Sequence, residues 1–246
     1  MHPATRPFWL ILILLVLWDI AIRVFKIPPY LIPPPLAVVK QLFTEWPMLL
    51  REMMPTLWAT LGGFAASAVI GVPIAMWIAY SRLVESFVYP LLVFSQSVPK
   101  VAIAPLFVVW FGFGLFPKVL LTFLLCFFPT LVASMTGFRA LDERVLYLTQ
   151  SMGATWWQTF RYVRLPAAMT YIFAGLKVSI VFAATGAIVG EFVGANAGLG
   201  YLLLRGTSYL DMPLIFAVLV ALSVIGILFS YLVQYSERWL MPWQRN

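Results

Sequence analysis

Residues able to do covalent chemistry are scarce in this chain. His2 is the single histidine and Cys126 the single cysteine. A serine–histidine triad built at membrane depth needs an imidazole there, and a zinc site needs several imidazole or thiolate ligands, so both are excluded. One cysteine also excludes an intrachain disulfide. Cys126 lies in the run LLCFFP and reads as a small buried hydrophobe. No paired-carboxylate motif and no G-x-x-x-x-G-K-[ST] phosphate loop occur. The expectation is a chain that performs no catalysis and hydrolyses no ATP itself.

What remains are ionisable and polar groups inside apolar runs. Lys177 stands about a third of the way into an apolar stretch, where a charge must face the bundle interior, pair or snorkel. Glu191 is fourteen residues further along, about 21 Å of helical rise, and cannot reach it. Asp19 has Arg23 four residues later on the same helix face. Gln96, Ser97, Pro99 and Lys100 interrupt another apolar run. Gly186, Gly190 and Gly194 recur every four residues beside Glu191 and Asn196. Such a glycine series suits close helix packing, the lining of a solute route, or both. Gln96, Pro99, Lys177, Gly186, Gly190, Glu191, Gly194 and Asn196 are therefore the candidate path residues, with Glu191 expected near an outer gate.

These groups sit in an overwhelmingly apolar chain. Of 246 residues, 63% are hydrophobic and 10% charged, against about a quarter charged in soluble domains. Mean hydropathy is +0.95. The net charge of +7 is scattered at the ends of apolar runs, a pattern of membrane topology rather than of nucleic-acid binding. The fold class is all-α: a polytopic helical membrane protein with about six transmembrane helices. The first span is residues 8–25, uncleaved because it carries Asp19 and no small-x-small site. Residues 26–56 form an external interfacial segment with the rigid IPPYLIPPP stretch. Residues 57–138 hold spans two to four. Within them, 87–114 is broken by prolines into one kinked span or a span plus a re-entrant piece. Ala59, Gly63, Ser67 and Gly71 make a small-residue stripe on the second span. Residues 139–166 form a polar loop, 167–235 hold spans five and six with an outer loop at 190–213 between them, and 236–246 are a tail. Basic residues cluster most densely around 141–166, which puts that loop and both termini in the cytoplasm.

The loop reads LDERVLYLTQSMGATWWQTFRYVRLP. Leu141, Val145, Leu148 and Met152 share one helical face. Gly153 suits a helix stop. Trp156, Phe160 and Val163 form the apolar stripe of a second helix, with Arg161 and Arg164 free for water or lipid phosphate. Pro166 fits the first turn of the next span.

This segment resembles the EAA loop of ABC importer permeases, in which a Gly is followed thirteen residues later by a Pro. The chain is identified as a member of that type I, binding-protein-dependent family by LIPPPLAVV, VPKVAIAPLFVVWFGFG, FFPTLVASMTGFRALD and GEFVGANAGLGYLLL as well. These runs resemble the nitrate, sulfonate, taurine and thiamine-pyrimidine subgroup. The resemblance implies that Leu148, Gly153, Ala154, Trp157, Phe160, Arg161, Leu165 and Pro166 couple the chain to an ATPase. The family's Glu-Ala-Ala triplet falls on Tyr147-Leu148-Thr149, so its acidic residue is missing here. It further implies a second permease chain in a homodimer, two ATPase copies that hold the ATP and Mg, and an external solute-binding protein. No cofactor is expected in this chain, and the setting is a bacterial inner membrane. The substrate expectation is a heterocyclic vitamin precursor. The alternatives are a small anion such as a sulfonate, taurine, nitrate or bicarbonate, or an ion-coupled secondary transporter. The last would need intramembrane carboxylates, for which Asp19 and Glu191 are the sole candidates, and no internal repeat of the secondary-transporter kind is found.

Overall fold

The computed structural model describes residues 6–244, so His2 and Arg245 lie outside it. Among the described residues every regular element is helical. In chain order they are α1 (Arg6–Val24), α2 (Pro35–Thr44), α3 (Trp46–Tyr80) and α4 (Arg82–Ser97). A 3-10 turn (Lys100–Ile103) leads to α5 (Ala104–Phe111) and α6 (Leu115–Arg139). Then come α7 (Glu143–Ser151), α8 (Trp156–Thr159), a π-helical turn (Phe160–Arg164), α9 (Leu165–Phe192), α10 (Leu199–Tyr209) and α11 (Met212–Leu240).

Four unbroken helices among the described residues are long and apolar enough to cross a bilayer: α3, α6, the run 156–192 and α11. A fifth crossing exists if α4 and the 3-10/α5 piece count as one span, bent by 81°. The bend falls at SVPK, where Pro99 can donate no backbone hydrogen bond. α1 is a shorter apolar helix of 19 residues. It stands at the edge, touching α11 through Trp18 against Phe216, ring centroids 5.4 Å apart.

The centre is a trio, α3, α6 and α9. The small residues of α3 let α6 approach: Gly63 lies directly on Thr122, and Gly71 faces Thr130 and Phe127. On the other side of α6, Gly175 meets Ala133 and Gly186 meets Thr122. Polar bonds cross the same seam. Ser179 Oγ donates to Cys126 O at 3.1 Å and pairs with Thr130 Oγ1 at 2.7 Å. Cys126 is fully buried and its thiol donates to Ser179 O. α10 and α11 complete the core through Leu199, Leu202, Leu214, Val218 and Phe229.

Two boundaries differ from the sequence reading. α3 runs unbroken from Trp46 through Pro55, so residues 46–56 are helix continuous with the span rather than separate interfacial pieces. Leu49 and Thr56 are buried in the bundle, and this packing holds the helix through a proline that local preference would use as a stop. Residues 190–213, expected as a loop, are helical except for short turns at 193–198 and 210–211.

Candidate functional site

At one end of the bundle, segment 141–166 is built from local signals. Asp142 caps α7 by accepting from Arg144 N at 2.9 Å. After Ser151 the chain reverses at Gly153, whose φ of +76° favours glycine. Gly153 N donates to Gln150 O at 2.9 Å and Ala154 N to Thr149 O at 3.1 Å, which satisfies carbonyls left open by the helix end. Thr155 and Gln158 then form a reciprocal capping box that starts the next helix.

That helix does not stop before the membrane. Residues 156–192 form one run of 37 residues, so Pro166 falls in the first turn of α9 as expected, but that turn continues a helix already under way. The π-helical turn at Phe160–Arg164 lies where the Pro166 ring would collide with the carbonyl of an ordinary α-turn. A widened turn removes that clash and accommodates the missing donor.

Segment 141–166 exposes an unusual amount of apolar surface. Leu148, Met152, Trp156 and Trp157 are 60%, 77%, 66% and 58% exposed. Tyr147 and Tyr162 are also open. Beside them, a cleft of about 380 Å³ is lined by Met152, Gly153, Ala154, Gln158, Tyr162 and Val163. Phe160 is different. It is half-buried, stacked on Trp156 at 5.5 Å between ring centroids, and packed against Phe138, Ala168 and Ile172 together with Leu165. Arg161 is exposed, but Arg164 is not free: its guanidinium lies 4.9 Å from the Tyr80 ring centroid. Tyr80 in turn touches Phe138, and Arg139 pairs with Glu85 at 2.8 Å. The segment is thus fixed to α3, α6 and α9 on its inner side and bare on its outer side.

The opposite end is closed by a polar latch. Glu191, at the end of α9, is fully buried. Thr56 Oγ1 donates to Glu191 Oε1 at 2.9 Å and accepts from Leu199 N at 2.9 Å. Gly200 N donates to Glu191 Oε2 at 2.7 Å, and Gly198 N to Glu52 Oε2 at 2.7 Å. Lys118 Nζ lies 3.7 Å from Glu191 and donates to Ala197 O at 2.9 Å. Gly198 has φ +124° and lies against the Glu191 carboxylate, where any side chain would collide. Three helices therefore hold the 193–198 turn by its backbone.

This geometry revises the candidate path residues. Glu191 does not face open space, because its carboxylate is consumed by the latch. Gly186 and Gly190 pack on Thr122 and Lys118 of α6, and Gly194 on Phe113. Asn196 borders a cleft of about 310 Å³ with Lys118 and Phe113. Lys177 is paired with Glu237 of α11 at 2.5 Å, its cost met by a partner that sequence spacing did not reveal. Asp19 and Arg23 pair at 2.7 Å as their spacing implies. Gln96 and Pro99 are exposed at the helix break, far along the chain from the latch. The eight residues do not converge on one surface. Glu52, Thr56, Lys118 and Glu237 were missed because no local pattern links positions on different helices.

Comparison with known proteins now decides the family. The model of the binding-protein-dependent transport system inner membrane component matches residues 71–246. The chain belongs to this family. Its relatives are ABC permeases. It is 36% identical over 246 residues to the formylaminopyrimidine transport permease protein ThiX of Halalkalibacterium halodurans, covering 100% of this chain and 98% of the relative. It is 34% identical to the riboflavin transport system permease protein RibX of Chloroflexus aurantiacus, over 96% of this chain and 89% of the relative. The taurine transport system permease protein TauC of Escherichia coli is 27% identical, with 94% and 86% covered. An inward-facing MetNI methionine ABC transporter structure shares the fold, with TM-score 0.63, 20% identity and 80% and 95% coverage. The permease is thus an ABC importer's transmembrane subunit, and the ion-coupled alternative falls away.

Proposed function

We propose that this permease imports a heterocyclic vitamin precursor, received from an external solute-binding protein. A homodimer of the chain works with two copies of a separate ATPase, which bind the ATP and Mg. Segment 141–166 and both termini lie in the cytoplasm, and the latched end faces outward. The observation that carries the coupling role is the bare apolar surface of Leu148, Met152, Trp156 and Trp157 on a segment whose opposite face is anchored to the bundle. Such a patch is unstable in water unless a partner covers it. Closure of the ATPase dimer pushes this patch, and the continuous 156–192 helix carries the displacement directly into α9. The substrate reading draws on the formylaminopyrimidine and riboflavin permeases among its relatives.

The test is site-directed cross-linking. Cys126 is buried, so Met152→Cys supplies a single accessible thiol. A short bifunctional reagent should join it to the ATPase in the assembled transporter. Failure to form that adduct, in a complex shown to contain the ATPase, would refute the docking assignment.

A further inference from the structure

We infer that Lys100, with Gln96, Phe128 and Phe182, forms the subsite that recognises the solute, and that it takes a flat heteroaromatic ring bearing hydrogen-bond acceptors. The inference deepens the import reading and rests on it for the identity of the ring solute. Lys100 opens the 3-10 turn at the α4–α5 break, and its ammonium lies 4.6 Å from the centroid of Phe128. Phe128 is the fourteenth of the 25 residues of α6. It therefore sits about 20 Å from one end of that helix and about 17 Å from the other. The ammonium is accordingly near the middle of the membrane. A four-carbon stem is too short to carry it to either surface.

A cation at that depth demands a counter-group. The other ion pairs are already made: Asp19 with Arg23, Lys118 with Glu191, Arg139 with Glu85 and Lys177 with Glu237. Glu52 accepts from Gly198, and Asp142 and Asp211 cap helices. Among the described residues this leaves Glu45 and Glu143, at the starts of α3 and α7. Neither reaches the middle of α6, so a second copy of the chain brings no spare carboxylate there either. The Phe128 ring supplies only a partial substitute.

The ammonium borders a cleft of about 350 Å³ lined by Gln96, Leu125, Phe128, Pro129, Val132 and Phe182. That volume suits a small solute. Lys100 donates to a carbonyl oxygen, ring nitrogen or anionic oxygen. Gln96 offers one donor pair and one acceptor, and the two phenyl rings supply apolar contact for a flat body. A short aliphatic sulfonate satisfies the ammonium but leaves the rings without a partner.

The experiment has two arms on the assembled transporter in vesicles. In the first, Lys100→Cys is exposed to a membrane-impermeant sulfonated thiol reagent, with buried Cys126 giving no background. The expected result is modification, slowed by formylaminopyrimidine supplied with the binding protein. A thiol that stays unmodified in every nucleotide state overturns the subsite, because it then faces lipid or packed protein. In the second arm, initial uptake of formylaminopyrimidine, riboflavin and taurine is measured per assembled complex. Lys100→Met should lower ring-solute uptake roughly ten- to a hundred-fold, and Gln96→Leu roughly three- to ten-fold, by loss of a charged and a neutral hydrogen bond. Lys100→Arg should retain most of the rate. Wild-type rates in Lys100→Met overturn the proposal. Uptake of taurine alone by the wild type overturns the flat-ring assignment and the vitamin-precursor reading together, while the labelling arm still judges the subsite by itself.

Discussion

The two ends of this permease solve opposite problems. At the latched end, charged and polar groups are buried and consumed: Glu191 and Thr56 are fully enclosed, and backbone N–H groups of Leu199 and Gly200 close on them. At the 141–166 end, charged residues stay at the rim and large apolar side chains stand in the open. A buried, satisfied network holds one arrangement of its chain and cannot accept a partner. A bare apolar patch on anchored elements is incomplete alone and gains by being covered. The difference separates a part that keeps three helices in fixed register from a part that presents an open apolar surface.

The largest effect that would break this comparison is at the latch. Glu191→Ala should destabilise the folded permease by about 3–5 kcal/mol, because it leaves the Lys118 cation enclosed with no carboxylate. Thermal unfolding in detergent should show an early loss of the monodisperse protein, and the yield of assembled complex should fall. Wild-type stability would mean that the latch is incidental. Glu191→Gln, which keeps the Gly200 bond, should lie between the two.

A smaller effect is expected from Trp157→Ala, at least about 2 kcal/mol lost in ATPase binding with the permease's own melting unchanged. Phe160→Ala sharpens the contrast, since its ring packs on Phe138, Ala168 and Ile172. It should lower permease stability as well as ATPase recovery in pull-down. Equal behaviour of the two variants would erase the distinction between the outer and inner faces of the segment.

Gly153→Val should cost about 1–2 kcal/mol locally, from forcing a β-branched residue to positive φ. No neighbouring atom obstructs a side chain there, so the effect is conformational and not steric crowding. Membrane insertion should be normal while uptake per ATP hydrolysed falls. Tight coupling in this variant would show that the turn tolerates another shape. The smallest effect belongs to Asp19→Asn on the peripheral α1. Loss of one i,i+4 pair, with Arg23 exposed and Asp19 half-buried, should change stability by about 0.2–0.5 kcal/mol and leave uptake at the wild-type rate.

Residue types and spacing alone determined the all-helical membrane class, the packing stripe on α3 and the turn at Gly153. Each of these rests on periodicity or on backbone preference within a few neighbouring residues. The Asp19–Arg23 pair was legible for the same reason, since both residues lie on one helical face. The partners of Glu191 and Lys177 were not legible. Glu52, Thr56, Lys118 and Glu237 come from other helices, and only helix packing brings them within hydrogen-bond distance. Tertiary structure likewise decided that α3 continues through Pro55 and that Pro166 lies inside a helix, where burial and a π-turn outweigh the local stop signal. It also turned Phe160 inward and left Trp156 and Trp157 bare, because which side of a short amphipathic helix meets the bundle depends on where the bundle is.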